Sequence, residues 1–453
     1  MKDGYYLLSY TVNGIKNLDK DVRLDFYKKT IDKNFDPREY NVKAIYGENG
    51  TGKSAIMTSV KVLKNLILNR RYLNDSTNCR LLDNLINKRT LKLSIEIEFI
   101  TIIKNIIALN KYKIVICRDE IENYYKIANE ELYYRTNTSN NWSRIYIIEN
   151  GKDIDSCSNK LFKELNKDNG IDTLKEQSFI SNFYYKHFKD IVKEDKHFKN
   201  LEDSKLVISI MNSILFASRI YVYFDDNDKY DEYIYSNLIK EYLANKDINK
   251  KIPDISRASL DDEIIGYSTV VYKEFIEEFE NNIKKLYEFI KIFKPELLEI
   301  EIDRKEQKDS YVCDLIFNYK DYKVYAAYES NGIKKLIGIY KAIEAVDKGY
   351  IVFIDEFDSN IHDVYLCKLI EYVEEYAKGQ LCFTTQSITV MDVLENRKKS
   401  LDFLSRDHEI TSWFKNSHYS ASKKYKGGYI EKSPFNIESF DFLKAFGDSI
   451  DEL

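Results

Sequence analysis

The sequence predicts an α/β protein with a helical stretch in its middle, and three stretches carry that prediction. In "NVKAIYGENGTGKSAIM" (41–57) a short apolar strand runs into a glycine-rich loop and then a helix. In "GYIVFIDEFDSNIH" (349–362) a second apolar strand, Ile351 to Ile354, ends in two acids. Between about residues 156 and 295 the pattern turns helical, which leaves an N-terminal lobe at 1–155 and a C-terminal lobe at 296–453.

Taken in order, residues 5 to 10 and 22 to 27 read as a strand pair. Residues 41–46 form a buried strand, and 54–71 a helix with apolar residues at i, i+3 and i+4. "LKLSIEIEFI" (91–100) alternates as a strand does, and "YKIVICR" and "RIYIIENGK" extend a strand-rich region to about residue 152. In the helical span, 271–294 sets Phe275, Phe279, Ile283, Leu286 and Ile290 on one face, a packed bundle rather than a coiled coil with sustained heptads. Strands return at "LLEIEID", "YVCDLIF" and "YKVYAAY", and an α/β segment at 333–390 carries the remaining motifs.

Composition narrows the classes. A chain of 453 residues with 32% charged and 44% apolar residues suits a soluble globular protein of two or three units. No run of about 18 apolar residues and no N-terminal signal pattern is present, so no membrane role is expected. Six scattered cysteines without a CxxC pair fit reduced thiols and a cytoplasmic setting. The net charge of −5 gives no global basic signature, so DNA contact would need a local patch; "SASKKYKGGY" (420–429) is a basic, aromatic candidate.

"GENGTGKS", Gly47 to Ser54, has the spacing G-x-x-x-x-G-K-[ST] with a strand before it and a helix after it. Gly47, Glu48, Asn49, Gly50, Thr51 and Gly52 make the loop whose N–H groups converge on phosphate oxygens at a helix N-terminus. Lys53 would reach the β- and γ-phosphates of ATP, and Ser54 would ligate Mg²⁺. With only 15 glycines in the chain, a chance match is rare. Asp355, at a strand tip, can hold Mg²⁺, and Glu356 is placed to polarise a water. In "YESNGIKKLIGIYKAI" (328–343), Ser330, Asn331 and Gly332 open a helix whose apolar stripe is Leu336, Ile339 and Ile343.

Together, Asn49 in the loop, the Ser-x-Gly helix start, and "EFDSNIH" after the acids resemble an ABC-type ATPase head. The sequence is most similar to the RecF/SMC-like and OLD-like (overcoming lysogenization defect) AAA ATPases of bacteria. The resemblance covers the N-terminal third and residues 297 to 395, and it implies an ABC-type P-loop ATPase head split by the insertion at 156–295. Residues Gly47 to Ser54 would be its Walker A motif. Ser330, Asn331, Gly332 and Lys334 would belong to a signature that contacts the nucleotide of another subunit. Asp355 and Glu356 would be Walker B and catalytic base, and Asp358, Ser359, Asn360 and His362 a D-loop at the interface between heads. The family has a histidine where this chain has Gln386, a residue that can hydrogen-bond but carries no charge, and this implies slow hydrolysis. No Q-loop glutamine is placed.

The resemblance implies a homodimer or higher homo-oligomer formed through ATP. It further implies a regulatory subunit of an antiphage, abortive-infection system, PARIS-like or Septu-like, with a separate effector encoded in the same operon and a phage protein as trigger. The alternatives are a RecF/SMC-like DNA-binding repair ATPase and a self-contained toxin or nuclease.

Overall fold

The computed structural model describes residues 4–27, 31, 35–103, 106–119, 124–139, 141–156, 173–192, 201–224, 268–415 and 419–430. Residues 157–172, 193–200 and 225–267 of the expected insertion, and 431–453 of the C-terminal lobe, lie outside the described residues.

An antiparallel sheet of seven strands comes from the N-terminal lobe. It comprises β1 (Gly4–Asn13), β2 (Val22–Asp25), β4 (Lys92–Ile103), β5 (Ile106–Arg118), β6 (Tyr125–Thr136), β7 (Ser143–Glu149) and β8 (Lys152–Ser156), in the order β2-β1-β4-β5-β6-β7-β8. Its long strands alternate: in β4, Leu93, Ile95, Ile97 and Phe99 are buried while the residues between them are half-exposed.

A second sheet has the order β17-β16-β3-β15-β14-β9, formed by β3 (Val42–Gly47), β9 (Ile220–Tyr223), β14 (Ile351–Ile354), β15 (Gln380–Thr384), β16 (Leu401–Leu404) and β17 (Ile410–Ser412). Every pairing is parallel except β16 with β17. Here β14 and β15 are buried at every position, because helices cover both faces. A smaller antiparallel sheet joins β10 (Ser268–Tyr272), β11 (Leu297–Glu306), β12 (Ser310–Tyr319) and β13 (Lys323–Tyr325).

The helices are α1 (Lys53–Leu68), α2 (Ser76–Leu85), α3 (Thr173–Glu176), α4 (Phe179–Val192), α5 (Leu201–Ser218), α6 (Ile276–Phe293), α7 (Asn331–Asp347), α8 (Asp363–Tyr376), α9 (Ile388–Leu394) and α10 (Ala421–Lys426). One core packs α1, α4 and α5 between the seven-stranded sheet and one face of the parallel sheet, through residues such as Ile45, Leu63, Phe99, Phe179, Ile210 and Phe353. The other core packs α6, α7, α8 and α9 on the opposite face, through Ala44, Leu286, Ile339, Val352 and Phe383. The parallel sheet is therefore the wall shared by both.

The span read as an insertion contributes to both cores. Helix α6 covers 276–293 and buries Phe279, Ile283, Leu286 and Ile290; Phe275 lies in the preceding 3₁₀ turn and is half-buried. Strand β9 adds an edge to the parallel sheet beside β14, a strand that the helical pattern around it conceals. The Tyr223 backbone carbonyl accepts the Asp355 N–H at 3.0 Å. Its ring fills the space beside Gly338 of α7, where an added Cβ would come within 2.2 Å of Tyr223 Cε2.

One polar cluster ties the antiparallel sheet to α4. Glu130 of β6 accepts from Tyr112 Oη at 3.0 Å, Tyr146 Oη at 2.9 Å and the Phe179 N–H at 2.7 Å. Burial pushes its carboxyl up to about 7, with those hydrogen bonds opposing the rise.

Candidate functional site

Strands β3, β15 and β14 are adjacent and parallel, so their C-terminal ends open on the same edge of the sheet. A crevice at that edge is where open α/β sheets place ligands. Each of the three ends carries one of the motifs read in the sequence.

The loop after β3 wraps onto the N-terminus of α1. Gly47 must approach other atoms closely: a Cβ there would sit 2.7 Å from the Leu404 carbonyl oxygen and 2.8 Å from Thr51 Oγ1. Gly52 has φ +108° and precedes the first residue of α1, a conformation that favours glycine. Thr51 Oγ1 donates to the Glu48 carbonyl at 2.8 Å and tightens the loop. Asn17, from the turn after β1, donates to the Gly50 carbonyl at 2.6 Å, and Arg406 pairs with Glu48. Asn49 and Gly50 at the tip are exposed, and Ser54 is half-buried at the start of the helix.

Lys53 is buried, and its ammonium donates to the Gly47 and Glu48 carbonyls at 2.6 and 3.0 Å. Burial pushes its pKa below the usual lysine range, while Asp355, then Glu356, Asp358 and Glu48, pull it back up. Three of these acids come from the turn after β14 and the fourth from the loop itself.

At the end of β14, Asp355 is buried and Glu356 is exposed. Thr384 of β15 joins them: its Oγ1 donates to Asp355 Oδ1 at 2.6 Å and accepts the Glu356 N–H at 2.7 Å. Glu356 adopts φ +50° and Asn360 φ +58°, left-handed values that non-glycine residues rarely take. This turn aims the Glu356 side chain outward.

The end of β15 brings in Gln386. Its N–H donates to Asp358 Oδ2 at 3.0 Å, and its Nε2 donates to Asn49 Oδ1 at 3.0 Å. Glutamine thereby links the phosphate-loop motif to the turn after the acids, without a charge of its own.

Helix α7 begins as the Ser-x-Gly pattern predicts. Ser330 is its N-cap, with Oγ accepting the Ile333 N–H at 3.4 Å, and Ser330 and Asn331 are exposed. Gly332 and Lys334 follow in the first turn, both half-buried. His362 caps α8, its Nδ1 accepting the Val364 N–H at 3.3 Å.

Residues 43–392, most of the chain, match the family model described as "AAA domain, putative AbiEii toxin, Type IV TA system". The chain belongs to this AAA-domain family. Its mixed α/β architecture is that of a P-loop ATPase. A relative from Vibrio cholerae serotype O1 biovar El Tor, "Retron Vc95 probable ATPase", is 23% identical over 419 residues, covering 86% of this chain and 74% of the relative. Among the described residues, no helix of this AAA-domain chain is long and apolar enough to cross a membrane.

The donor set suits a nucleotide accompanied by Mg²⁺. Ser54 offers a hydroxyl and Asp355 a carboxylate, both hard oxygen donors. Among the described residues no group of three His, Cys, Asp or Glu side chains is assembled for a metal, so such an ion would draw its remaining ligands from phosphate and water.

Three contributors escaped the sequence reading. Thr384 was passed over because a threonine inside an apolar strand reads as β propensity. Asn17 lies 33 positions from the Gly50 carbonyl it binds, with no local signal. Lys335 is 1% exposed on α7. It falls on the same helical stripe as Ile339, Ala342 and Val346, and a charge in an apolar stripe is a signal that could have been read.

Proposed function

We propose that this chain is an ATP-binding, slowly hydrolysing ABC-type ATPase that pairs its heads over nucleotide and regulates a separate effector in antiphage defence. The observation that carries the reading is the convergence of Lys53, Asp355–Glu356 and Gln386 at the ends of three adjacent parallel strands. The AAA-domain family and the retron ATPase relative support an ATPase in a defence-related system.

In this reading the loop Gly47 to Gly52 cradles the phosphates, and Lys53 exchanges its two carbonyl partners for β- and γ-phosphate oxygens. Ser54 and Asp355 would hold Mg²⁺, which would supply positive charge against the charge that develops on the phosphates. Glu356 accepts a proton from the attacking water, and Gln386 orients that water or the γ-phosphate. Glutamine cannot take up charge as the reaction proceeds, so turnover is slow and the ATP-bound state is long-lived. Ser330, Asn331, Gly332 and Lys334 meet the γ-phosphate held by another protomer, and Asp358, Ser359, Asn360 and His362 lie along the same interface. The exposure of Ser330 and Asn331 favours that role. The effector and a phage-protein trigger are partners outside this chain, and its setting is the cytoplasm.

The test is to purify the Glu356→Gln protein with ATP together with the products of its neighbouring genes, against a Lys53→Ala control. The expected result is an ATP-dependent oligomer of this chain carrying a stoichiometric protein partner. Bound DNA without a protein would replace this reading with a repair ATPase.

A further inference from the structure

Helix α7 carries a lysine whose place is hard to explain by packing. Lys335 is 1% exposed, and an apolar residue on that stripe would fill the space without desolvating an ammonium. Its Nζ donates to the Glu356 carbonyl at 2.7 Å and also bonds the Ser359 hydroxyl. Both partners lie in the turn after β14, where Glu356 and Asn360 hold left-handed φ values. The same turn is pinned on its other side by Thr384 Oγ1, which accepts the Glu356 N–H, and by the Phe357 N–H, which donates to the Thr384 carbonyl at 3.0 Å. The backbone on both sides of the Glu356 α-carbon is therefore clamped, from β15 through its N–H and from α7 through its carbonyl.

We propose that Lys335 is a positioning residue that fixes the left-handed conformation of Glu356 and ties it to the helix whose N-terminus is Ser330. The inference rests on the reading of Glu356 as the base. It adds a direction of coupling within one protomer. A displacement of α7, caused by phosphate meeting Ser330 and Asn331, moves the Lys335 ammonium and with it the Glu356 carbonyl. Each head thereby adjusts its own base according to whether its signature helix is engaged.

The experiment compares wild type with Lys335→Met, Lys335→Arg, Ser359→Ala and Glu356→Gln. ATP affinity is measured with a fluorescent ATP analogue, phosphate release under single turnover, and the melting temperature alongside. Lys335→Met keeps the length of the side chain and is expected to bind the analogue within about threefold of wild type while releasing phosphate about 100-fold more slowly, since small misplacements of a catalytic group cost that much. Ser359→Ala, which removes one of these partners, is expected to slow release about three- to tenfold. Lys335→Arg retains the charge and is expected to recover part of the rate. Phosphate release by Lys335→Met within twofold of wild type, with Glu356→Gln inactive, would overturn the inference alone. A parallel fall of affinity, melting temperature and rate, unrelieved by arginine and absent in Ser359→Ala, would reduce Lys335 to a folding role and overturn it as well. Full activity of Glu356→Gln would remove the base and the inference together.

Discussion

The two large sheets use their strands differently. In the seven-stranded antiparallel sheet, the long strands β4 and β5, of 12 and 13 residues, alternate buried and half-exposed side chains over much of their length, and their neighbours are reached by hairpins or one excursion. In the parallel sheet, β3, β14 and β15 are only four to six residues long and buried almost throughout, and each ends in a loop that carries a motif of the candidate site. Stability in the first comes from extended pairing over a half-buried surface, and in the second from helices on both faces. The difference teaches where substitution should be felt: at the site when it falls on a strand tip of the short sheet, and in folding when it falls within the long one.

The largest expected effect is on binding, at the short sheet. Lys53→Ala removes an ammonium held among loop carbonyls and should weaken ATP binding at least about 100-fold, with stability changed by less than about 1 kcal/mol. Nucleotide titration and thermal melting check both halves, and a collapse of the fold would break the comparison. The converse is Phe99→Ala in β4, whose ring stacks on Phe216 with centroids 4.2 Å apart. It should cost about 3–5 kcal/mol in denaturant unfolding, while the folded protein binds ATP as before.

A third effect sharpens the picture because the long sheet also buries a carboxyl that titrates near neutral pH. The Glu130 carboxyl is raised from 4.5 to about 7, so between those values the folded chain holds a proton that the unfolded chain has lost. Its contribution to stability is therefore fullest below the unfolded value and falls as pH rises to about 7. The total is on the order of 3 kcal/mol at most. Glu130→Gln should flatten that part of the stability profile measured by denaturation at pH 5 and pH 7.5. The smallest effect is Gln386→His, which offers a protonatable ring beside Asn49 and Asp358 and should speed hydrolysis about three- to tenfold. No change, or a loss, would count against the proposal that glutamine slows turnover.

Legibility followed the same division. The strands β3 and β14 and the turns after them could be read because a strand running into G-x-x-x-x-G-K-[ST] is rarely a chance match, and the apolar run ending in two acids, weak alone, becomes strong beside that loop. The start of α7 at Ser330 was readable as a cap. Strand β9 was not: four residues, Ile220 to Tyr223, following a helix have no period of their own and become a strand only by pairing with β14. Strand β6 was blurred by its Asn129, Glu130 and Glu131, of which Glu130 turns inward to bind two tyrosines from neighbouring strands. Thr384 and Lys335 act through partners 28 and 21 positions away, so a local pattern could flag the lysine as out of place in its apolar stripe but could not name what either residue binds. The geometry of a site built from strand ends is set by sheet order, which a sequence states only indirectly.

The contact between Tyr223 and Gly338 carries a historical consequence. The ring occupies the space a side chain at 338 would need, and the same residue hands its carbonyl to Asp355. Position 338 cannot gain a side chain while the ring at 223 stays where it is. A lineage that acquires alanine or serine at 338 must first, or soon after, trade the aromatic ring at 223 for something smaller. The two sites, more than a hundred residues apart in the chain, are expected to leave a joint record in the divergence of its descendants.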